Sequence, residues 1–359
     1  MRWRWVAGGI GVVAAASCAL EGFRKSDPDE TQGGAGNGPT CGSAEYPPPP
    51  SLSDAGGDVS FVVAVRRVLL TRQVDGGALG VDLDSRCTCQ GEDSTCVVPG
   101  DGGACDFPGG RDNATAGLFG TLQTLLQQGD ISTFYSAQAE QGKWSLLMRV
   151  RNYNGDSDDD EVELAWYVAD GYYPIDTQVP KWDGTDSWIV SSDSATASDV
   201  NQPTYVDPYA YVTNHMLVAS LPASALVLAG TLSRIRFALT GGGVLARIVP
   251  SGTSFALREG IVAARIAESD LFAAVSSYRD DNGLPLCTDG LFYATAKSIV
   301  CNGRDILSGL GGPSMPCDAL SLAVGFESDP AELGPVLPTA PPATACPPGT
   351  DPATDTCGP

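Results

Sequence analysis

Residues 80–90 read GVDLDSRCTCQ, with Asp82 and Asp84 two apart and Cys87 and Cys89 two apart just behind them. Two chemistries fit such a run. Carboxylates and thiolates can hold a metal together, or the cysteines can be disulfide staples that leave the aspartates as oxygen donors. In an extended chain residues i and i+2 point the same way, so Asp82 and Asp84 offer two hard oxygens on one side, the donor type calcium takes. Further on, Asp106 follows Cys105, and the RDNA stretch carries Asp112 and Asn113 at the start of a helical pattern. A bridge that closes this loop to Cys105 draws those groups together. The expected site is therefore calcium on Asp82, Asp84, Asp106, Asp112 and Asn113. The competing reading makes Asp112 a helix cap and DLD a solvated turn. Zinc fits poorly, because C-x-C-x6-C-x8-C matches no common finger or ribbon and the single histidine, His215, is distant.

Other chemistry has less support. His215 lies in VTNHMLVASL, which reads as a strand, with no G-x-S-x-G elbow beside it; GPSMP at 312–316 is not that motif. No HExxH, P-loop or dinucleotide fingerprint occurs, so no catalytic residue is assigned. A carboxylate pair can hydrolyse glycosides without histidine, which keeps a carbohydrate-active enzyme as the alternative. The aromatic region from GYYP to PTYVDPYAY supplies Trp182, Trp188, Tyr205, Tyr209 and Tyr211 as rings for sugar stacking, or simply as packing. The run DSDDDE at 156–161 lacks the glycine an EF-hand loop requires at its sixth position and reads as a charged hairpin turn.

These residues need a compartment and a scaffold. MRWRW followed by VAGGIGVVAAAS is the pattern of a secretory signal over 1–17, and Ala15-Ala16-Ser17-Cys18 resembles a lipobox with Cys18 as the lipidated residue. Residues 18–57 are rich in Gly, Pro and acids and read as a disordered tether. Loss of residues 1–17 leaves 19 basic against 43 acidic residues, a net charge of −24, which repels nucleic acid. Of 11 cysteines, ten remain for pairing in an oxidising compartment: Cys41, Cys87, Cys89, Cys96, Cys105, Cys287, Cys301, Cys317, Cys346 and Cys357. The spacing allows 87–96 with 89–105, or 87–105 with 89–96. Cys346 and Cys357 bracket a turn-rich loop and pair with each other in this reading, which sends Cys41 to Cys287, Cys301 or Cys317.

Alternating residues predict strands in DVSFVVAVRRVLLT, KWSLLMRVRNY, EVELAWYV and SFALREGIVAARI. The second and third form a hairpin that puts Leu146, Met148 and Val150 on the side of Val162, Leu164, Trp166 and Val168. Another hairpin is expected to turn at Gly241-Gly242-Gly243. Helices are expected at DNATAGLFGTLQTLLQQG, with Leu118, Leu122, Leu125 and Leu126 as its stripe, at SDLFAAVSSY behind a Ser269 or Asp270 cap, and at GLFYATAKSIV. The fold class is mainly β: an antiparallel β-sandwich or jelly-roll-like domain with two or three short helices, stapled by disulfides. Residues 58–280 would form the sandwich, 281–330 a disulfide-clamped helical extension, and 331–359 a Pro-rich tail with a small disulfide loop.

The motif order GVDLDSRCTC, CDFPGGRDNA, NYNGDSDDDEV, WDGTDSW, LCTDG, CNGRDI and GFES resembles a group of secreted lipoproteins predicted in myxobacteria and their relatives. The resemblance spans most of 58–329 and implies a cell-envelope lipoprotein of unknown activity. The expected function is a non-enzymatic binding or structural module, exported and held by lipid at the outer membrane or cell surface, whose partner is a glycan or an envelope protein.

Overall fold

From Val59 to Leu69 the side chains alternate, and Phe61, Val63 and Val65 go to the core, so the first strand, β1 (Val59–Leu69), forms where the period-two pattern puts it. The structure, a computed structural model, describes residues 44–51, 56–71, 79–100, 105–125, 129–174, 179–230, 234–279, 283–285, 287, 290–338, 346 and 349–358. The expected signal segment over 1–17, Cys18, Cys41 and most of the segment read as a tether lie outside these residues. After β1 come helices α1 (Thr115–Leu125) and α2 (Ile131–Glu140), then β2 (Ser145–Tyr153), β3 (Asp159–Tyr173), β4 (Ser187–Ser191), β5 (Tyr205–Thr213), β6 (Met216–Ala229), β7 (Arg234–Ser251) and β8 (Ser254–Ala267). Helices α3 (Glu268–Ser276) and α4 (Gly290–Asn302) precede β9 (Ala319–Pro330) and β10 (Glu332–Leu337).

The chain is mainly β and antiparallel, as the pattern predicts, and its ten strands make one sheet. That sheet closes on itself. Strand β3 pairs with β2 on one edge; on the other it pairs first with β5 and then with β4. The ring β1-β2-β3-β5-β6-β7-β8-β9 returns to β1 through antiparallel ladders alone. The expected facing layers are thus opposite walls of one eight-stranded barrel, an interior that side chains just fill. Trp166 on β3 reaches across to donate its indole N–H to the Ala225 carbonyl on β6 at 2.8 Å. A second, smaller core lies outside the wall, where Leu147, Ala165 and Tyr167 pack under Trp188 and Val190 of β4, with β10 lying parallel to β4.

The β2–β3 hairpin has the predicted inward face, and its register sets Arg151 opposite Glu163. The hairpin expected at Gly241–Gly243 does not exist: both halves belong to β7, which is continuous from Arg234 to Ser251. The glycines serve close approach instead. A Cβ on Gly242 would lie 2.5 Å from the Ala263 carbonyl, and Gly241 sits at φ 55 where the β7–β8 register shifts. Strand β7 turns into β8 only after Ser251, and a separate tight turn at Asn214-His215, both left-handed, joins β5 to β6 and exposes the histidine, which was read as part of a strand.

Helices seal the other end, with Leu118 and Phe119 of α1, Ile131 and Tyr135 of α2 and Phe272 of α3 joining the core. Leu126 and the side chains of Leu122 and Leu125 lie outside the described residues. Helix α2 was not predicted, although Asp130 caps it through the amides of Ser132 and Thr133. Helix α3 starts after Ala267 without a side-chain cap, so neither Ser269 nor Asp270 plays that part.

Four disulfides are described: Cys89–Cys105, Cys96–Cys317, Cys287–Cys346 and Cys301–Cys357; Cys87 is oxidised as well. Of the expected pairs only 89–105 forms. The pairs 87–96, 87–105 and 89–96 are replaced, because Cys96 bonds Cys317 beside β9. Cys346 and Cys357 do not bond each other; they bind the two ends of α4, and Lys297 and Tyr293 of that helix hold Asp355 at 2.6 and 2.7 Å. With Cys287, Cys301 and Cys317 all engaged, none pairs with Cys41. Residues 319–330, read as part of a helical extension, supply a central barrel strand, and the tail supplies β10. Residues 44–50, read as tether, lie against the domain: Ala44 bonds Gly109 and Asp82, and Tyr211 donates its hydroxyl to the Pro47 carbonyl.

Candidate metal centre

The segment between β1 and α1 is long and has few apolar residues of its own, so its shape comes from cross-links and from the barrel wall beneath it. Cys89–Cys105 closes it locally and Cys96–Cys317 ties it to the start of β9. Val97 exchanges backbone hydrogen bonds with Met315 and Cys317. Arg265 of β8 donates to the Leu83 carbonyl, and the Asp112 amide donates to Val81 at 3.0 Å. Folded so, Asp82, Asp84 and Asp112 each turn a carboxylate oxygen to a common point, all three within 4.8 Å of one another.

Backbone amides orient the three carboxylates. The Leu83 amide donates to Asp112 Oδ2 at 2.6 Å, the amides of Asp84 and Arg86 both reach Asp82 Oδ1 at 3.2 Å, and the Thr95 hydroxyl donates to Asp84 Oδ2 at 2.6 Å. Gly110, at φ 66, forms a floor: a Cβ there would lie 2.7 Å from the Arg86 carbonyl, 2.9 Å from Cys87 Sγ and 3.2 Å from Asp82 Oδ2.

The centre is short of positive charge. Asp112 is 3% exposed, and burial, reinforced by the charges of Asp84, Asp106 and Asp305, pushes its carboxyl up to about 9. Burial lifts Asp106 to about 6 and Asp305 to about 7, and it raises Asp84, which Arg265 only partly offsets. Crowded carboxylates that resist ionisation are what a bound cation relieves. Three hard oxygens at this spacing fit a cation that prefers oxygen ligands, with water or backbone oxygens completing the shell. Zinc on thiolates is not available, since Cys87, Cys89, Cys96 and Cys105 are all oxidised.

Two further expected ligands are placed with other partners. Asn113 turns its Oδ1 to the Thr115 hydroxyl and the amides of Ala116 and Ala323, which ties α1 to β9. Asp106 stays within electrostatic reach, but its carboxylate accepts the Thr88 amide at 2.6 Å and lies outside the triad. Asp305 was missed, because nothing in CNGRDI signals it; β9 brings it in, bound to the Ser321 amide at 2.8 Å. The helix-cap reading moves from Asp112 to Asn113.

The aromatic residues do not assemble into one platform. Trp188 is fully buried, 5.3 Å from the Trp182 ring, which in turn packs under Arg66. Tyr205 is half-buried against the core with its hydroxyl bonded by Arg236. Of the rings expected to stack, only Tyr209 stands in solvent, 84% exposed. No family model, curated protein or solved structure matches the chain.

Proposed function

We propose that this is an exported, non-enzymatic module of the cell envelope, anchored through lipid on Cys18, whose barrel is pinned by a calcium ion on Asp82, Asp84 and Asp112 and which binds a glycan or another envelope protein. The observation that carries the calcium reading is the convergence of three carboxylates within 4.8 Å in a loop otherwise held by disulfides. The disulfides support an oxidising compartment, where calcium is also abundant. A side-chain-filled barrel supports a role on the outer surface rather than in the lumen. The alternative of a carbohydrate-active enzyme needs a cleft flanked by Trp182 or Trp188, and Trp188 is sealed in packing.

Calorimetric titration of the purified chain with calcium at pH 7 tests the site. One saturable event, lost in Asp82→Asn and Asp84→Asn, is expected; no binding, or binding that survives both changes, overturns the reading. Anchoring is read separately, by fatty-acid labelling that Cys18→Ser abolishes.

A further inference from the structure

We propose that the tip formed by Val97, Leu310 and Met315 docks on a bilayer of zwitterionic phospholipid, with the cleft beside it taking a headgroup. The inference rests on the reading of the chain as lipid-anchored and gives it a second contact with the same membrane. Eight large apolar side chains stand exposed among the described residues, and three of them form this tip: Leu310 is fully exposed, Val97 and Met315 about half. They are neighbours. The Val97 amide donates to the Met315 carbonyl at 2.8 Å, and a Cβ on Gly311, next to Leu310, would lie 3.0 Å from the Met315 sulfur.

The fold holds these side chains outward. The Cys96–Cys317 bond clamps both arms of the tip, one residue before Val97 and two after Met315. The Cys317 amide donates back to the Val97 carbonyl at 2.9 Å, and Asp318 takes the Ser308 amide and hydroxyl at 2.7 and 2.9 Å, which closes the base of the 308–318 loop. Leu307 packs on the buried disulfide while Leu310 points away from it. A loop fixed in this way has little freedom left to lose on docking. Stable protein interfaces are broad patches centred on aromatic or arginine anchors, whereas three aliphatic side chains on a projecting loop make a wedge suited to the boundary between headgroups and acyl chains.

The cleft against this wedge holds about 580 Å³ and is lined by Arg86, Glu92, Asp93 and the backbone of Gly311 and Gly312. Glu92 is taken by the Cys87 amide at 2.9 Å. The side chains of Arg86 and Asp93 are exposed and make no hydrogen bond or ion pair among the described residues. One free cation beside one free anion matches the phosphate and ammonium of a zwitterionic headgroup, while a bilayer of anionic lipid meets the repulsion of a chain of net charge −22. The segment leading from Cys18 arrives at this same end. The Ala44 carbonyl accepts the Asp82 amide at 3.1 Å, and Asp84 takes the hydroxyl of Thr95, two residues before Val97, at 2.6 Å. The 26 residues from Cys18 up to Ala44 span about 28 Å as a coil, so lipid on Cys18 keeps the tip close to the bilayer.

Vesicle flotation tests the proposal with the mature chain from residue 18 carrying Cys18→Ser, so that no acyl anchor contributes. The probes are vesicles of phosphatidylethanolamine and phosphatidylcholine, and the same vesicles enriched in phosphatidylglycerol. Saturable binding to the first is expected, lower on the second, weakened about tenfold by Leu310→Asp, as for loss of one buried leucine, and weakened also by Arg86→Gln. Both side chains are exposed, and an unchanged melting curve shows that the variants fold. Absence of binding, stronger binding to the phosphatidylglycerol vesicles, or a Leu310→Asp or Arg86→Gln variant that binds as wild type would overturn the proposal. So would a dimer in sedimentation velocity that Leu310→Asp dissolves, because the tip would then meet a second copy. Fatty-acid labelling at Cys18 and calorimetry with calcium are read apart from flotation, so failure of the anchor or of the metal reading is distinguished from failure of the tip.

Discussion

Replacing Asp112 with asparagine should stabilise the calcium-free protein at neutral pH, the reverse of what removing a buried hydrogen-bonding group usually does. In the unfolded chain this carboxyl ionises near 3.8; in the fold it holds its proton to about 9. Between those values the folded state binds more protons than the unfolded one, so stability is full below about pH 4 and falls as pH rises towards 9. The loss is about 1.4 kcal/mol per pH unit, or about 4 kcal/mol by pH 7. Asparagine keeps an oxygen for the Leu83 amide, which lies 2.6 Å from Asp112 Oδ2, and has no charge to lose. Calcium at a thousandfold excess over Kd returns about 4 kcal/mol to the wild type by mass action, and none to the variant if ligation is lost. At about 2 °C per kcal/mol for a chain of this size, that is a rise of roughly 8 °C. Scanning calorimetry between pH 5 and 8, in chelator and in calcium, reads all of this. A wild type whose midpoint ignores both calcium and pH, or an Asp112→Asn variant that melts lower than wild type in chelator at pH 7, refutes the reasoning.

The Cys96–Cys317 bond spans 221 residues, so the Cys96→Ser, Cys317→Ser double variant should lose about 5 kcal/mol of chain-entropy stabilisation, against about 3 for the 16-residue Cys89–Cys105 link. Chemical denaturation compares them, and equal losses would count against the loop-length argument. Gly110→Ala puts a methyl 2.7 Å from the Arg86 carbonyl at a left-handed position, and calorimetry should show calcium affinity reduced with the barrel intact; unchanged affinity would mean that the loop relaxes freely. Trp188→Ala empties the outer core at a cost of about 3–5 kcal/mol, measured by urea unfolding; a variant as stable as wild type would mean that Trp188 is not a packing residue.

Local pattern carried the strands. In β1, β2, β3 and β8 the period-two alternation names the buried residues, and the inward face of the β2–β3 hairpin was legible because one side is continuously apolar. Gly241–Gly243 misled because glycine marks both turns and close backbone contacts, and only the partner strand, here Ala263 on β8, distinguishes them. Asp82 and Asp84 were legible as a pair from spacing, and Asp112 from its place beyond Cys105. Asp305 and Tyr46 were not, since each reaches its place through a strand or segment far away in sequence. Disulfide partners failed for the same reason: three of the four described bonds join segments at least 56 residues apart, where counting spacings has no purchase.

The β1–β9 ladder makes the ring dependent on its most distant seam. On that edge Val63 to Leu69 find their partners in Gly325 to Pro330, so a polypeptide emerging amino end first carries a raw edge on β1 until β9 is made. Until Ala319–Pro330 of the 359-residue chain arrives, two unpaired strand margins are open to neighbouring chains. A product cut short before residue 319 would therefore behave as an adhesive sheet.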